Sequence, residues 1–258
     1  MSIPVQFAFT GPLNDFLRRE FRGKSFTHPC PATSTAKDGE EGVGVPHVEV
    51  AALRVNGTWA PLAQPLRAGD RLEVYPRREH LPLPPGYALH PPLPAVPAFV
   101  LDVHLGKLAR LLRMLGFDCR YERDYADDRI AAIAAAEGRA VLTRDIPLLK
   151  RKVLDWGYWL RSQHPEEQLA EVLDYFRLAG KLQPFTRCLV CNGPLAAVDK
   201  SLVADRLEPE TRAGFDAFYR CTDCDRVYWK GSHYERMAGL VARIGGGENP
   251  KGLPRRQE

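Results

Sequence analysis

No run of apolar residues in this 258-residue chain approaches the ~18–20 needed to cross a bilayer, so a helical integral membrane protein is excluded. The N-terminal MSIPVQFAFTGPLNDF has neither a basic stretch nor a long apolar one, and no signal peptide is expected. Charge of one sign is also missing. The formal net charge is +4, and Lys+Arg against Asp+Glu runs 10 to 9 over residues 1–97, 15 to 13 over 98–187 and 11 to 10 over 188–258. Avid binding to a polyanion by bulk charge is therefore excluded, and any such contact must be local. The turn DVHLGK (102–107) holds one glycine and no G-x-G-x-x-G, which argues against a dinucleotide site. It also has His104 where a dehalogenase-type phosphatase would need a second Asp. Six cysteines in 258 residues are too sparse for a secreted disulfide scaffold.

The composition that is present, 45% hydrophobic and 26% charged, is that of a globular protein of one or two domains. Residues 77–97 form a proline-rich stretch that can propagate neither helix nor central strand, and they read as a linker. Before it lies a module over residues 1–76. Its VEVAALRVNG alternates as a strand does, Val55-Asn56-Gly57-Thr58 signals a hairpin, and AGDRLEVYP predicts a closing strand. The spacing of Leu13, Phe16, Leu17 and Phe21 predicts a short amphipathic helix over 13–21, while 31–44 reads as an exposed loop. This layout resembles the β-grasp, ubiquitin-like modules of sulfur-carrier type. Such carriers end in a free Gly-Gly; this module runs on into the linker, so carrier chemistry is not expected. Gly245-Gly246-Gly247 belongs instead to a flexible tail over 244–258.

Residues 98–187 alternate strand and helix: AFVLDV, then LGKLARLLRMLG closed by Gly116, FDCRYE, DDRIAAIAAAEG, RAVLTRD, a short helix through 146–153, GYWLRS, and HPEEQLAEVLDYFRLAG. That repetition predicts a parallel sheet with flanking helices. Ligands gather outside the carboxyl ends of such strands, where Asp102 and Asp145 stand, with Asp127 and Asp128 opening the helix after the second strand. Carboxylates converging on one crevice need a cation, and oxygen donors suit Mg²⁺ or Mn²⁺. The bland reading of Asp127, Asp128 and Asp145 is a helix cap. Lys107, Arg110, Arg113, Arg144 and Lys150-Arg151-Lys152 are candidate phosphate-binding cations or simply solvated surface charges. His104 reads better as a packing residue than as an acid or base.

Two C-x-x-C pairs, Cys188/Cys191 and Cys221/Cys224, predict a tetrahedral zinc site with a closed shell and hence a structural role over residues 188–243. Unpaired thiols bound to metal suit a reducing cytoplasm. After them, Tyr228, Trp229, Lys230, Ser232 and His233 mix aromatic and polar groups suited to RNA or, for the two aromatics, to packing the ribbon on the core.

The blocks FVLDVHLGKLARLLRMLGFD, DDRIAAIAAAEGRAVLTRD, the C-x-x-C pairs and YWKGSHYERM together resemble the Mut7-C RNase domain, a PIN-like nuclease fold with an appended zinc ribbon. Some members carry an N-terminal ubiquitin-like module. The resemblance implies an α/β fold and metal-dependent endoribonuclease chemistry on RNA. It implies Asp102, Asp127 (with Asp128 as fallback) and Asp145 as the acidic ligands of Mg or Mn. Lys107, Arg110, Arg144, Lys230, Ser232 and His233 are the expected RNA contacts, and the N-terminal module is a place for a protein partner. The chain departs from the family pattern at Pro147, where many members have a further Asp, so a fourth ligand is absent or comes from elsewhere. The competing expectation is an RNA-binding module that keeps the fold without turnover.

Overall fold

A computed structural model describes residues 1–77 and 81–245. Most of the expected tail, and part of the linker at 78–80, lie outside the described residues.

The N-terminal module is a five-stranded sheet crossed by one helix. Its elements are β1 (Ser2–Phe9), β2 (Phe26–Pro31), α1 (Ala36–Gly42), β3 (Val50–Val55), β4 (Thr58–Trp59) and β5 (Arg71–Pro76). The strand order is β2-β1-β5-β3-β4. The first and last strands, β1 and β5, run parallel in the centre, and the other pairings are antiparallel, which is a β-grasp arrangement. The β3–β4 hairpin turns at Asn56 (φ 52°) and Gly57 (φ 80°), the left-handed pair that the Asn-Gly signal calls for. Alternation along β1 sends Val5, Phe7 and Phe9 inward, where Phe7 stacks on Phe9 and Phe26.

Two local expectations fail here. Residues 13–21 form two 3-10 turns, Gly11–Phe16 and Arg19–Phe21, instead of one α-helix. Leu17 between them is extended (ψ 154°), and the Asn14 amide ties the first turn to the carbonyls of Phe9 and Gly11. Leu13, Phe16 and Leu17 are nevertheless buried, as their spacing required. The stretch read as an exposed loop carries the end of β2 and α1, a helix with buried Ala36, Gly39 and Glu40. Its two glycines hide it from propensity. Its signal is the capping box: Thr35 Oγ1 accepts from the Asp38 N–H, and Asp38 accepts from the Thr35 N–H at 2.9 Å.

Beyond the proline-rich segment come β6 (Phe99–Leu101), α2 (Gly106–Met114), β7 (Cys119–Arg120), α3 (Asp127–Glu137), β8 (Ala140–Thr143), α4 (Ile146–Leu149), β9 (Gly157–Trp159) and α5 (Pro165–Tyr175). The strands pair in parallel, β6 with β7 and β8 with β9, as β-α-β crossovers demand. Gly116 ends α2 at φ 93°, and a Cβ there would collide with the Gln183 carbonyl, so glycine is required on two counts. The remaining elements are β10 (Leu195–Val198), α6 (Pro209–Gly214), β11 (Phe218–Cys221), β12 (Val227–Trp229) and α7 (Ser232–Gly245). Strands β10, β11 and β12 form an antiparallel three-stranded ribbon.

The chain condenses into two compact units that interleave in sequence: Met1–Leu93 with Asp127–Trp159, and Pro94–Ala126 with the chain from Leu160 on. Within the first unit, His47 Nε2 bonds the Leu154 carbonyl (2.9 Å), Glu49 accepts from the Trp159 N–H (2.6 Å), and Lys150 donates to the Glu41 carbonyl (2.7 Å). The proline-rich stretch is tethered to the same unit. Tyr87 donates to the Ala60 carbonyl and accepts from the Leu53 N–H, while His90 bonds the Val50 carbonyl and stacks on His47. Burial, with Arg77 and His47 nearby, holds the His90 imidazole down at about 3, so it stays neutral. In the second unit, Phe99 meets Phe117 and Phe176 edge-on, and α2 packs on α5.

Candidate metal centre and nucleic-acid groove

The cysteine quartet assembles as its spacing predicts. The ligand sulfurs of Cys188, Cys191, Cys221 and Cys224 all lie within 4.8 Å of one another, with Cys188–Cys224 at 3.6 Å and Cys191–Cys221 at 3.4 Å. Four sulfurs at ~2.3 Å from one tetrahedral ion stand about 3.8 Å apart, so the donor set and its size fit zinc. Among the described residues this is the only such group of three or more metal-capable side chains. Each pair turns back on itself through a left-handed residue directly after its second cysteine, Asn192 (φ 75°) and Asp225 (φ 62°). Asn and Asp tolerate that conformation better than other side chains. Backbone N–H groups of Cys191 and Gly193 point at the sulfurs of Cys188 and Cys191. Burial alone would raise the Cys188 thiol; the Cys191 N–H and the Tyr228 hydroxyl, 3.0 Å from the sulfur, outweigh it and bring it to about 6. Tyr228 therefore belongs to the candidate metal centre.

The first knuckle is bolted to the neighbouring strand and helix. Asn192 Oδ1 accepts from the Cys119 N–H of β7 (2.9 Å), and its amide donates to Asp118 (2.8 Å). Arg113, expected among the phosphate-binding cations, is instead buried. It donates to the carbonyls of Cys119 and Val190, joining α2, β7 and the knuckle.

The candidate acids stand just beyond strand ends or at a helix start. Asp102 is buried (6% exposed) directly after β6. Asp145 follows β8 after one intervening residue, and its N–H donates to Thr143 Oγ1 (2.8 Å). Asp127 is the half-buried first residue of α3. Asp128 beside it is 84% exposed and ion-paired with Arg151. Pro147 lies in the first turn of α4, where its ring suits the helix start.

Three of the six expected RNA contacts meet in one place. Lys107 and Arg110 on α2 and His233 on α7 line a groove of about 1160 Å³, whose lining also includes residues from the first turn of α5 and Leu189 of the first knuckle. His164 and Arg236 line it too, and neither was expected. Arg236 is one helical turn from His233 and was hidden among ordinary surface charges. Lys230 instead lies over the Tyr234 ring (5.6 Å), and Ser232 is exposed at the start of α7. Arg144 is an exposed side chain whose carbonyl accepts from the Trp159 indole. Lys150 donates to the Glu41 carbonyl, and Arg151 pairs with Asp128 at the surface. No helix among the described residues is long and apolar enough to cross a membrane.

Comparison with known families adds two matches. The family described as Mut7-C RNAse domain matches residues 97–241, and that described as Mut7-C ubiquitin matches residues 2–82. No curated protein matches the chain.

Proposed function

Because the chain belongs to the Mut7-C RNase domain family, with a Mut7-C ubiquitin module ahead of it, we propose that it is a metal-dependent endoribonuclease. The domain match carries this reading, and the acids at strand ends support it. Asp102, Asp127 and Asp145 are the proposed holders of Mg²⁺ or Mn²⁺, hard oxygen donors for hard cations. Asp128 ranks behind Asp127 because Arg151 already engages it. When bound, such ions polarise the scissile phosphoryl group and activate a water. Lys107 and Arg110, on the helix that begins four residues after Asp102, would take flanking phosphates. The cysteine quartet would hold zinc with no open coordination position, a structural role. The ubiquitin-like module is a candidate protein-binding surface.

A second reading, RNA binding without turnover, is favoured by Pro147. Cleavage of a labelled single-stranded RNA in Mn²⁺ separates the two. Asp102→Asn and Asp145→Asn should each slow cleavage roughly 100-fold or more. A wild type that binds the RNA but cuts no faster than either variant establishes the binding module instead.

A further inference from the structure

We propose that the groove between α2, the start of α5 and α7 is a track for single-stranded RNA, with phosphates on its α2 and α7 walls and unstacked bases on its apolar floor. This deepens the ribonuclease reading and rests on it. The groove is open and about 1160 Å³, large enough to hold a short segment of polymer. Lys107 and Arg110 lie one turn apart on α2, and Arg236 lines the groove from α7. Arg236 donates to His233 Nδ1 (2.8 Å), which leaves the His233 proton on Nε2 as a further donor for an anion.

Between these donors the lining is apolar: Leu111, Leu189, Met237 and Leu240, with Met114 buried beneath them. The Met237 thioether and the leucines offer apolar contact to any base face, without sequence preference. Helix α7 is amphipathic, yet Tyr234, Met237, Leu240 and Val241 all stay half-exposed, so its apolar face has area left to cover. The third wall is acidic. Glu166 and Glu167 open α5, and Glu167 is held by the Ser162 hydroxyl (2.6 Å). These carboxylates repel a phosphate backbone and so direct it to the α2 and α7 side. A duplex keeps its bases stacked inside and cannot present them to such a floor.

The test uses the full chain carrying Asp145→Asn to prevent cutting, a fluorescent 12-nucleotide single strand, and a hairpin duplex of the same composition. Binding is read by anisotropy across a salt series, with zinc content and circular dichroism checked for each variant. The parent should prefer the single strand. Arg236→Glu should weaken binding about tenfold or more and lower the salt slope by about 1. Met237→Ser with Leu240→Ser should weaken it about tenfold with the slope unchanged. Crosslinks from 4-thiouridine should map to Leu189 or α7. If these variants bind like the parent and crosslinks fall elsewhere, while wild type still cuts RNA in Mn²⁺, the groove proposal is overturned and the ribonuclease reading stands. If wild type neither binds nor cuts RNA, the ribonuclease reading falls and takes the track with it. An acidic peptide that binds the groove where RNA does not would replace RNA as the occupant.

Discussion

The ubiquitin-like module and the cysteine ribbon are both small β structures, yet they are held together by different physics. The module closes around sixteen buried side chains centred on Phe7, Leu53, Leu72 and Val74. The ribbon's own core is Val203, Leu207 and Phe218. Three buried residues cannot offset the entropy of ordering a lobe that size. A metal held by the four sulfurs would supply what the core lacks, since a site that exists only in the folded chain turns metal-binding free energy into folding free energy. Hydrophobic area holds one region, and a single coordination sphere would do the same work in the other.

Metal removal is the sharpest test of that contrast. Stripping zinc should cost the ribbon on the order of 10 kcal/mol and unfold it, and Cys188→Ser should cost a part of that. Hydrogen exchange should then show loss of protection in β11 while β1 and β5 keep theirs. Equal loss in β1 would break the comparison. Phe7→Ala should cost about 3–5 kcal/mol in the module, because Phe7 is fully buried against Phe9 and Phe26. The same truncation at Phe218, measured by denaturant melts of the zinc-loaded chain, should cost less.

The last expected effect is a slope against pH and concerns Glu40, whose carboxylate is fully buried with neither oxygen hydrogen-bonded. Burial, aided by the neighbouring Glu41 charge, raises its pKa well above the usual range. The folded state therefore holds a proton that the unfolded chain releases near pH 4.5. Stability from this group is full below that pH and falls as pH rises toward the folded pKa, at about 1.4 kcal/mol per pH unit. Glu40→Gln should remove that decline. The difference between wild-type and variant melting curves from pH 5 to 8 isolates it from Asp38 and Glu41, whose pKa values are lowered and whose slopes run the other way. A constant difference across that range would show that Glu40 does not titrate as described.

Much of the fold was legible because its signals are local. Asn56-Gly57 marks a hairpin since few other pairs accept two left-handed residues, and Gly116 marks a helix end for the same reason. The strand–helix alternation of 98–175 shows through periodicity. Helix α1 was missed because Gly39 and Gly42 mask it, although Thr35 and Asp38 spell a cap. The proline-rich stretch read as a linker because composition reports the absence of helix and strand; it says nothing of Tyr87 bonding Leu53 and Ala60. Arg113 read as a surface cation because helical spacing alone does not reveal the carbonyls waiting at Cys119 and Val190.

The sequence by itself determined the two C-x-x-C knuckles, the individual strands and helices, and the acids at strand ends, because each depends on spacing within one turn, one strand or one knuckle. Only the tertiary structure decided that Lys107 and Arg110 share a groove with His164, His233 and Arg236, and that Arg113 and Asn192 tie the metal knuckle to the core. Those pairings join residues far apart along the chain. Their partners are chosen by packing and by buried carbonyls that must be satisfied, and no local pattern encodes either.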